Sequence, residues 1–267
     1  MLCKQIDLKV SGSQPQAHAT LYLLNDIPRV SKRPLVIVCP GGSYEFCSPR
    51  EGEPIALQFM AKGYHAAVVE YSTAPARFPT ALTEVALLMK TLKENAEAWR
   101  IQADRIFVCG FSAGGHLAGS YGVLWHEPWL AQSLGCDPEA LRPRGMILSY
   151  PVITGGEEAH EGSFRSLLGD DYEAKRDELS LENRATPNAP PAFIWHTWAD
   201  ELVPVSNSLK MAAALTRAGV PVEMHIFPRG MHGLSLCDER TPREDGNTQP
   251  EAAQWMPLCL KWLKTQL

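Results

Sequence analysis

The chain has 267 residues, enough to bury a large core as a single α/β domain without disulfide or metal staples. Hydrophobic residues at 45% and charged residues at 21% exclude a disordered or fibrous class. The net charge of −5, from 25 basic and 30 acidic residues, argues against a nucleic-acid or anionic-membrane partner.

In chain order, residues 6–10 and 19–24 read as two early strands forming an antiparallel pair. Residues 35–39 (LVIVC) are a solid apolar run, as in a strand buried on both faces of a parallel sheet. Pro40-Gly41-Gly42-Ser43 then signals a loop. The pattern repeats with a helix over 53–62 and a strand over 66–69. Residues 80–99 carry Leu82, Val85, Leu88, Met89 and Leu92 at helical spacing. Next come a strand over 105–109, a helix over 113–124 and a strand over 145–150. Another strand follows over 192–197, then a helix over 205–218, a strand over 222–227 and a closing helix over 252–267. This alternation predicts an α/β fold with a mostly parallel central sheet and helices on both faces. Two insertions, 125–144 and 154–191, break the rhythm, and the second is expected to form a small cap over a site.

Gly110-Phe111-Ser112-Ala113-Gly114 matches G-x-S-x-G. The pattern alone is weak, but it follows a predicted strand and opens a predicted helix, the setting of a nucleophile elbow. The helix start offers free N–H groups and a positive dipole end to a developing oxyanion. A serine hydroxyl needs a base. His232, in Arg229-Gly230-Met231-His232-Gly233, lies in a loop just after the strand over 222–227. His116 falls in the first turn after Ser112 and reads as local, and His65 begins a strand. His126-Glu127 lacks the second histidine of H-E-x-x-H, and His18, His160 and His225 lack a strand-end loop. The acid should lie between Ser112 and His232 at another strand end. Asp200 is there, with Glu201 as its rival and a helix N-cap as its plainer role. The order Ser, Asp, His is the chain order of α/β-hydrolases. An oxyanion hole needs the Ala113 N–H and an earlier strand-end loop, and residues 40–44 are placed to supply it.

The segments CPGGSY, VVEYSTAP, FPTALTEV, RIFVCGFSAGGHLA, PPAFIWHTWADELVP and GMHGLS make the chain resemble the small esterases of the α/β-hydrolase superfamily, close to the acetyl esterase and acetylxylan-esterase-like group. The resemblance runs from about residue 35 to 236. It implies Ser112 as nucleophile, Asp200 as acid and His232 as base. The family's H-G-G-G loop reads Pro40-Gly41-Gly42-Ser43 here, so Gly42 and Ser43 join Ala113 as oxyanion donors, without the family's histidine and third glycine. The expected activity is hydrolysis of carboxylic esters, with short acyl groups such as acetyl on a sugar or other small alcohol. Tyr44, Phe46 and Trp198 are expected to line the substrate site near the acyl group. An amide or peptide hydrolase on the same triad, such as an arylformamidase, is the nearest alternative. A non-catalytic binding protein on the same fold is the more distant one.

No metal or organic cofactor is expected. The expected partner is a small-molecule ester, with no nucleic acid and no membrane, and a homo-oligomer is compatible with the sequence. Seven scattered cysteines without a C-x-x-C pair point away from a disulfide framework and toward a reducing compartment. The start MLCKQIDLKV has no signal-peptide apolar stretch, and no apolar run is long enough to span a bilayer. A cytoplasmic address is therefore expected.

Overall fold

A computed structural model describes residues 1–242 and 248–266. Eight strands, β1 (Leu2–Asp7), β2 (His18–Leu23), β3 (Arg33–Cys39), β4 (His65–Glu70), β5 (Ile101–Phe111), β6 (Gly145–Ser149), β7 (Ala192–Thr197) and β8 (Val222–Phe227), form one sheet in the order β1-β2-β4-β3-β5-β6-β7-β8. The β1–β2 and β2–β4 pairs are antiparallel, and every pair from β4 to β8 is parallel. The carboxyl ends of β3, β5, β6, β7 and β8 therefore share one edge. Cys39 pairs with Gly110, Phe111 with Ser149 and Thr197 with Phe227 along it. Loops leaving that edge converge, which is where open α/β sheets bind ligands.

Among the described residues eight α-helices accompany the strands: α1 (Glu53–Met60), α2 (Thr80–Glu94), α3 (Ala113–Leu124), α4 (Pro128–Ser133), α5 (Glu161–Leu168), α6 (Tyr172–Lys175), α7 (Ser206–Arg217) and α8 (Trp255–Thr265). The sheet's two faces carry separate cores. Ile106 and Val108 of β5 join Leu88 of α2, Leu117 of α3 and Leu215 of α7 on one face. Phe107, Cys109 and Phe111 join Phe59 of α1 and Trp262 of α8 on the other. Strand side chains alternate by two, so a strand sandwiched between helix layers is apolar throughout.

Several boundaries differ from the sequence expectation. β1 covers residues 2–7 rather than 6–10, because after Asp7 the chain leaves the ladder and Leu8 turns fully into the core. β1 is an edge strand with exposed side chains, placed by its pairing to β2 rather than by apolar alternation. α2 stops at Glu94, where the Asn95 side-chain amide and backbone N–H both donate to the Thr91 carbonyl. β5 starts at Ile101, ahead of a register shift that hides the ladder behind polar residues. The closing helix begins with a 3₁₀ turn over Ala252–Gln254.

The insertion over 125–144 holds α4 and a 3₁₀ turn over Pro138–Leu141. The one over 154–191 contains α5 and α6 and buries Phe164, Leu167, Leu168, Tyr172, Leu179 and Leu181, while Glu157, Glu161, Asp170, Asp171 and Lys175 stay exposed. Among the described residues no helix is long and apolar enough to cross a membrane.

Candidate active site

Ser112 links β5 directly to α3, with φ 53° and ψ −119°. A non-glycine residue at positive φ is held there against its own preference, and such strain concentrates at functional sites. The turn closes only because Gly114 has no side chain. A Cβ there would stand 2.2 Å from the carbonyl oxygens of both Cys39 and Pro40. The start of α3 is thus pressed onto the loop after β3.

His232, in the loop after β8, reaches Ser112 across the sheet edge. Its Nε2 stands 2.7 Å from Ser112 Oγ, and its Nδ1 stands 2.6 Å from Asp200 Oδ2. With Nδ1 donating to the carboxylate, Nε2 is left to accept the serine proton. Asp200, in the loop after β7, also receives the backbone N–H groups of Leu202 (3.1 Å) and Val203 (2.9 Å) on Oδ1. Burial by itself would push this carboxyl up. Hydrogen bonds from His196 and His232, the His232 charge and the Val203 amide outweigh it and hold Asp200 well below the usual carboxylate range. Ser112 and Asp200 are both buried. Glu201, the rival acid, is exposed and takes part in none of these contacts. It lines an open groove of about 710 Å³ with Ala199, Leu202, Met231 and His232.

The loop after β3 lies against the serine, since a methyl group on Gly41 would stand 3.0 Å from Ser112 Cβ. The Gly41 carbonyl accepts from Ser48 N–H (2.9 Å). The Gly42 carbonyl accepts from Glu45 N–H (2.8 Å) and Phe46 N–H (3.1 Å). In a planar trans peptide the N–H points opposite to its C=O. The Gly42 and Ser43 N–H groups therefore face away from these partners. Among the described residues the N–H groups of Gly42, Ser43 and Ala113 have no intramolecular acceptor. Gly42 has φ 127°, and a Cβ there would meet the Phe46 carbonyl oxygen at 2.1 Å, so only glycine fits.

The three expected substrate-lining aromatics separate. Tyr44 is buried, and its hydroxyl donates to His116 Nδ1 (2.9 Å). This corrects the expectation for Tyr44: it packs into the core behind the loop, because His116 and the Tyr71 ring provide a closed polar and aromatic seat for it. Phe46 and Trp198 are exposed at 56% and 65%. His116 is structural, with Nε2 donating to the Leu179 carbonyl (2.9 Å), and burial pulls its pKa down to about 4.

Three residues of this neighbourhood escape a sequence reading. His196 lies inside β7, is fully buried and points Nε2 at Asp200 Oδ2 (3.1 Å) and the Val203 carbonyl (2.9 Å). Glu51 is buried although it sits in a charged run, Arg50-Glu51-Gly52-Glu53, that resembles a solvated turn. Tyr150 follows β6 and packs its ring edge against His232, with centroids 5.1 Å apart. No local spacing marks any of them. Among the described residues no cluster of three or more His, Cys, Asp or Glu is arranged to hold a metal ion.

A strained serine at a strand-to-helix turn, facing a histidine and an aspartate at the edge of a parallel sheet, defines a class of fold. The chain belongs to the α/β-hydrolase fold family, whose model matches residues 36–236. Among solved structures it resembles an acetyl ester-xyloside bifunctional hydrolase from Caldicellulosiruptor lactoaceticus, at 35% identity and TM-score 0.81, covering 94% of this chain and 89% of that one. It also resembles a carboxylesterase from Lactobacillus plantarum, at 31% identity and TM-score 0.86, covering 100% and 98%. Among curated relatives it is 36% identical over 228 residues to an endo-1,4-beta-xylanase B of Butyrivibrio fibrisolvens, covering 82% of this chain and 34% of that one. The chain spans between 34% and 59% of the length of five curated relatives that it matches.

Proposed function

We propose that the protein is a serine hydrolase of carboxylic esters, with acetyl and other short acyl esters of a sugar or small alcohol as its substrates. The observation that carries this reading is the continuous path Ser112 Oγ–His232 Nε2 (2.7 Å) and His232 Nδ1–Asp200 Oδ2 (2.6 Å). The substrate class is supported by the names of the relatives, an acetyl ester-xyloside hydrolase and a carboxylesterase.

In this reading His232 takes the Ser112 proton as the serine oxygen attacks the acyl carbon. The carbonyl oxygen becomes an oxyanion held by the N–H groups of Gly42, Ser43 and Ala113. As the tetrahedral intermediate collapses, His232 returns the proton to the departing alcohol. Water, deprotonated by the same nitrogen, then attacks the acyl-enzyme, and as the acyl–Oγ bond breaks His232 returns that proton to Ser112 Oγ and the carboxylic acid leaves. Asp200 keeps the His232 tautomer and stabilises its charged form. In this reading Phe46 and Trp198, both exposed, are the rings that meet the substrate.

The test is labelling by a fluorophosphonate, followed by turnover on acetylated sugars, acetylated aryl alcohols and N-formyl amides. Labelling of wild type but not of Ser112→Ala, with acetyl esters turned over fastest, is the expected result. Preference for the N-formyl amides would replace the ester reading with a formamidase, and absence of labelling would point to a binding protein. The seven free cysteines support a reducing, cytoplasmic setting, which cell fractionation would check.

A further inference from the structure

The turn Pro49–Glu51 joins two loops that the proposed chemistry needs at a fixed separation. Glu51 is 3% exposed. Its Oε2 accepts the Gly41 N–H at 2.9 Å, and its Oε1 accepts the Tyr150 hydroxyl at 2.6 Å. The Tyr150 oxygen in turn accepts the Ser235 N–H at 2.8 Å, three residues after His232. A chain of hydrogen bonds thus runs from the His232 loop through Tyr150 and Glu51 to the loop beside Ser112. The neighbouring Arg50 reinforces it. The Arg50 guanidinium donates to the carbonyls of Gly233 (3.0 Å) and Thr241 (2.7 Å), and its own carbonyl accepts the Ser235 hydroxyl (2.6 Å).

The carboxylate suits this place chemically. It is acceptor-only when ionised, and it faces two donors, one N–H and one O–H. Among the described residues no basic side chain pairs with it, and its two oxygens are met by one N–H and one O–H. An apolar residue in its place would leave Gly41 N–H and Tyr150 O–H unsatisfied. The Gly41 N–H is turned inward onto Glu51, and its carbonyl is turned onto Ser48. Both peptide planes flanking Gly41 are thereby fixed, and with them the direction of the Gly42 N–H.

We propose that Glu51 is a positioning residue for the oxyanion hole, holding the Pro40–Gly41 peptide, next to the Ser48-held Gly41–Gly42 peptide that carries the Gly42 N–H, and, through Tyr150, setting the distance to the His232 loop. This inference rests on the ester-hydrolase reading above. Glu51 touches no reacting atom. It acts by preorganisation, which matters most in the transition state, when charge develops on the carbonyl oxygen.

The experiment compares wild type, Glu51→Ala, Glu51→Gln and Tyr150→Phe on p-nitrophenyl acetate. It measures kcat and KM separately, the inhibition constant of an alkylboronic acid whose tetrahedral serine adduct mimics the transition state, and the melting temperature. Glu51→Ala should lower kcat about tenfold to a hundredfold with little change in KM. The boronate inhibition constant should rise in step with the fall in kcat/KM. Glu51→Gln should recover most of the loss, because its amide oxygen can face Gly41 while its NH₂ donates to the Tyr150 oxygen. Tyr150→Phe should fall between the two. If Glu51→Ala fails to fold, Tyr150→Phe decides, since it keeps the ring against His232 and removes only the strut. Unchanged kcat and boronate affinity in whichever of these folds would overturn the positioning role. Absence of turnover by wild type, or its persistence in Ser112→Ala, would instead overturn the ester-hydrolase reading and the inference with it.

Discussion

His196 Nε2 stands 3.1 Å from Asp200 Oδ2, the same oxygen that His232 Nδ1 approaches at 2.6 Å. The Ser208 hydroxyl donates to the other nitrogen of His196 (2.8 Å), which fixes the proton on Nε2. Asp200 is thus surrounded by donors, two imidazole N–H groups and two backbone N–H groups.

That arrangement ranks the variants around the acid. Asp200→Asn should lower kcat by about 10⁴-fold, because the amide no longer enforces the His232 tautomer. His196→Phe, which removes one donor and keeps a ring, should cost several-fold. Glu201→Gln should be mild, since Glu201 is exposed and outside the hydrogen-bonded path. Steady-state kinetics on p-nitrophenyl acetate would check the ranking, and a crippling Glu201→Gln would reassign the acid.

Ser112 stores strain at φ 53° and ψ −119°. Ser112→Gly should abolish turnover yet melt no lower than wild type. Strain of about 1–3 kcal/mol is relieved, which offsets the entropy that a glycine adds to the unfolded chain. A clear drop in melting temperature would mean that the elbow is not strained.

Gly42→Ala should lose most activity, because its methyl group would meet the Phe46 carbonyl at 2.1 Å and turn the loop. Pro40→Ala should keep substantial activity, since proline has no N–H to contribute and the Pro40 carbonyl that accepts from Tyr71 remains. Equal losses in both, accompanied by equal drops in melting temperature, would mean that the loop acts through stability alone.

Burial lowers the His116 pKa from 6.5 to about 4. Between those values the unfolded chain binds a proton that the folded protein refuses, so stability is full above pH 6.5 and falls as pH drops toward 4. Thermal melts at pH 7 and pH 5 should show this loss, and it should be smaller in His116→Gln. Parallel pH dependence in the two proteins would assign the loss to other groups.

Turnover of p-nitrophenyl esters should fall steeply from acetyl or butyryl to octanoyl. The outward residues of the long insertion include Glu157, Glu161, Asp170, Asp171 and Lys175, and they do not form the apolar face of a lipase lid. A flat or rising profile would sink the short-acyl reading.

Features that depend on neighbours along the chain are legible in the order of residues. A solid apolar run marks β3, helical spacing marks α2, and the glycines around Ser112 mark a tight strand-to-helix turn. Because each candidate residue followed a strand, a parallel sheet was enough to bring Ser112, Asp200 and His232 to one edge. Features that depend on distant partners come from the fold. Ser112 meets His232 across 120 residues, and Glu51 meets Tyr150 across 99. It separated Asp200 from Glu201, one buried among donors and the other in solvent. It also sent Tyr44 into the core, where His116 waited, and buried Glu51 inside a run of charges. Burial and hydrogen-bond pairing are set by which surfaces the fold brings together, and residue spacing does not encode them.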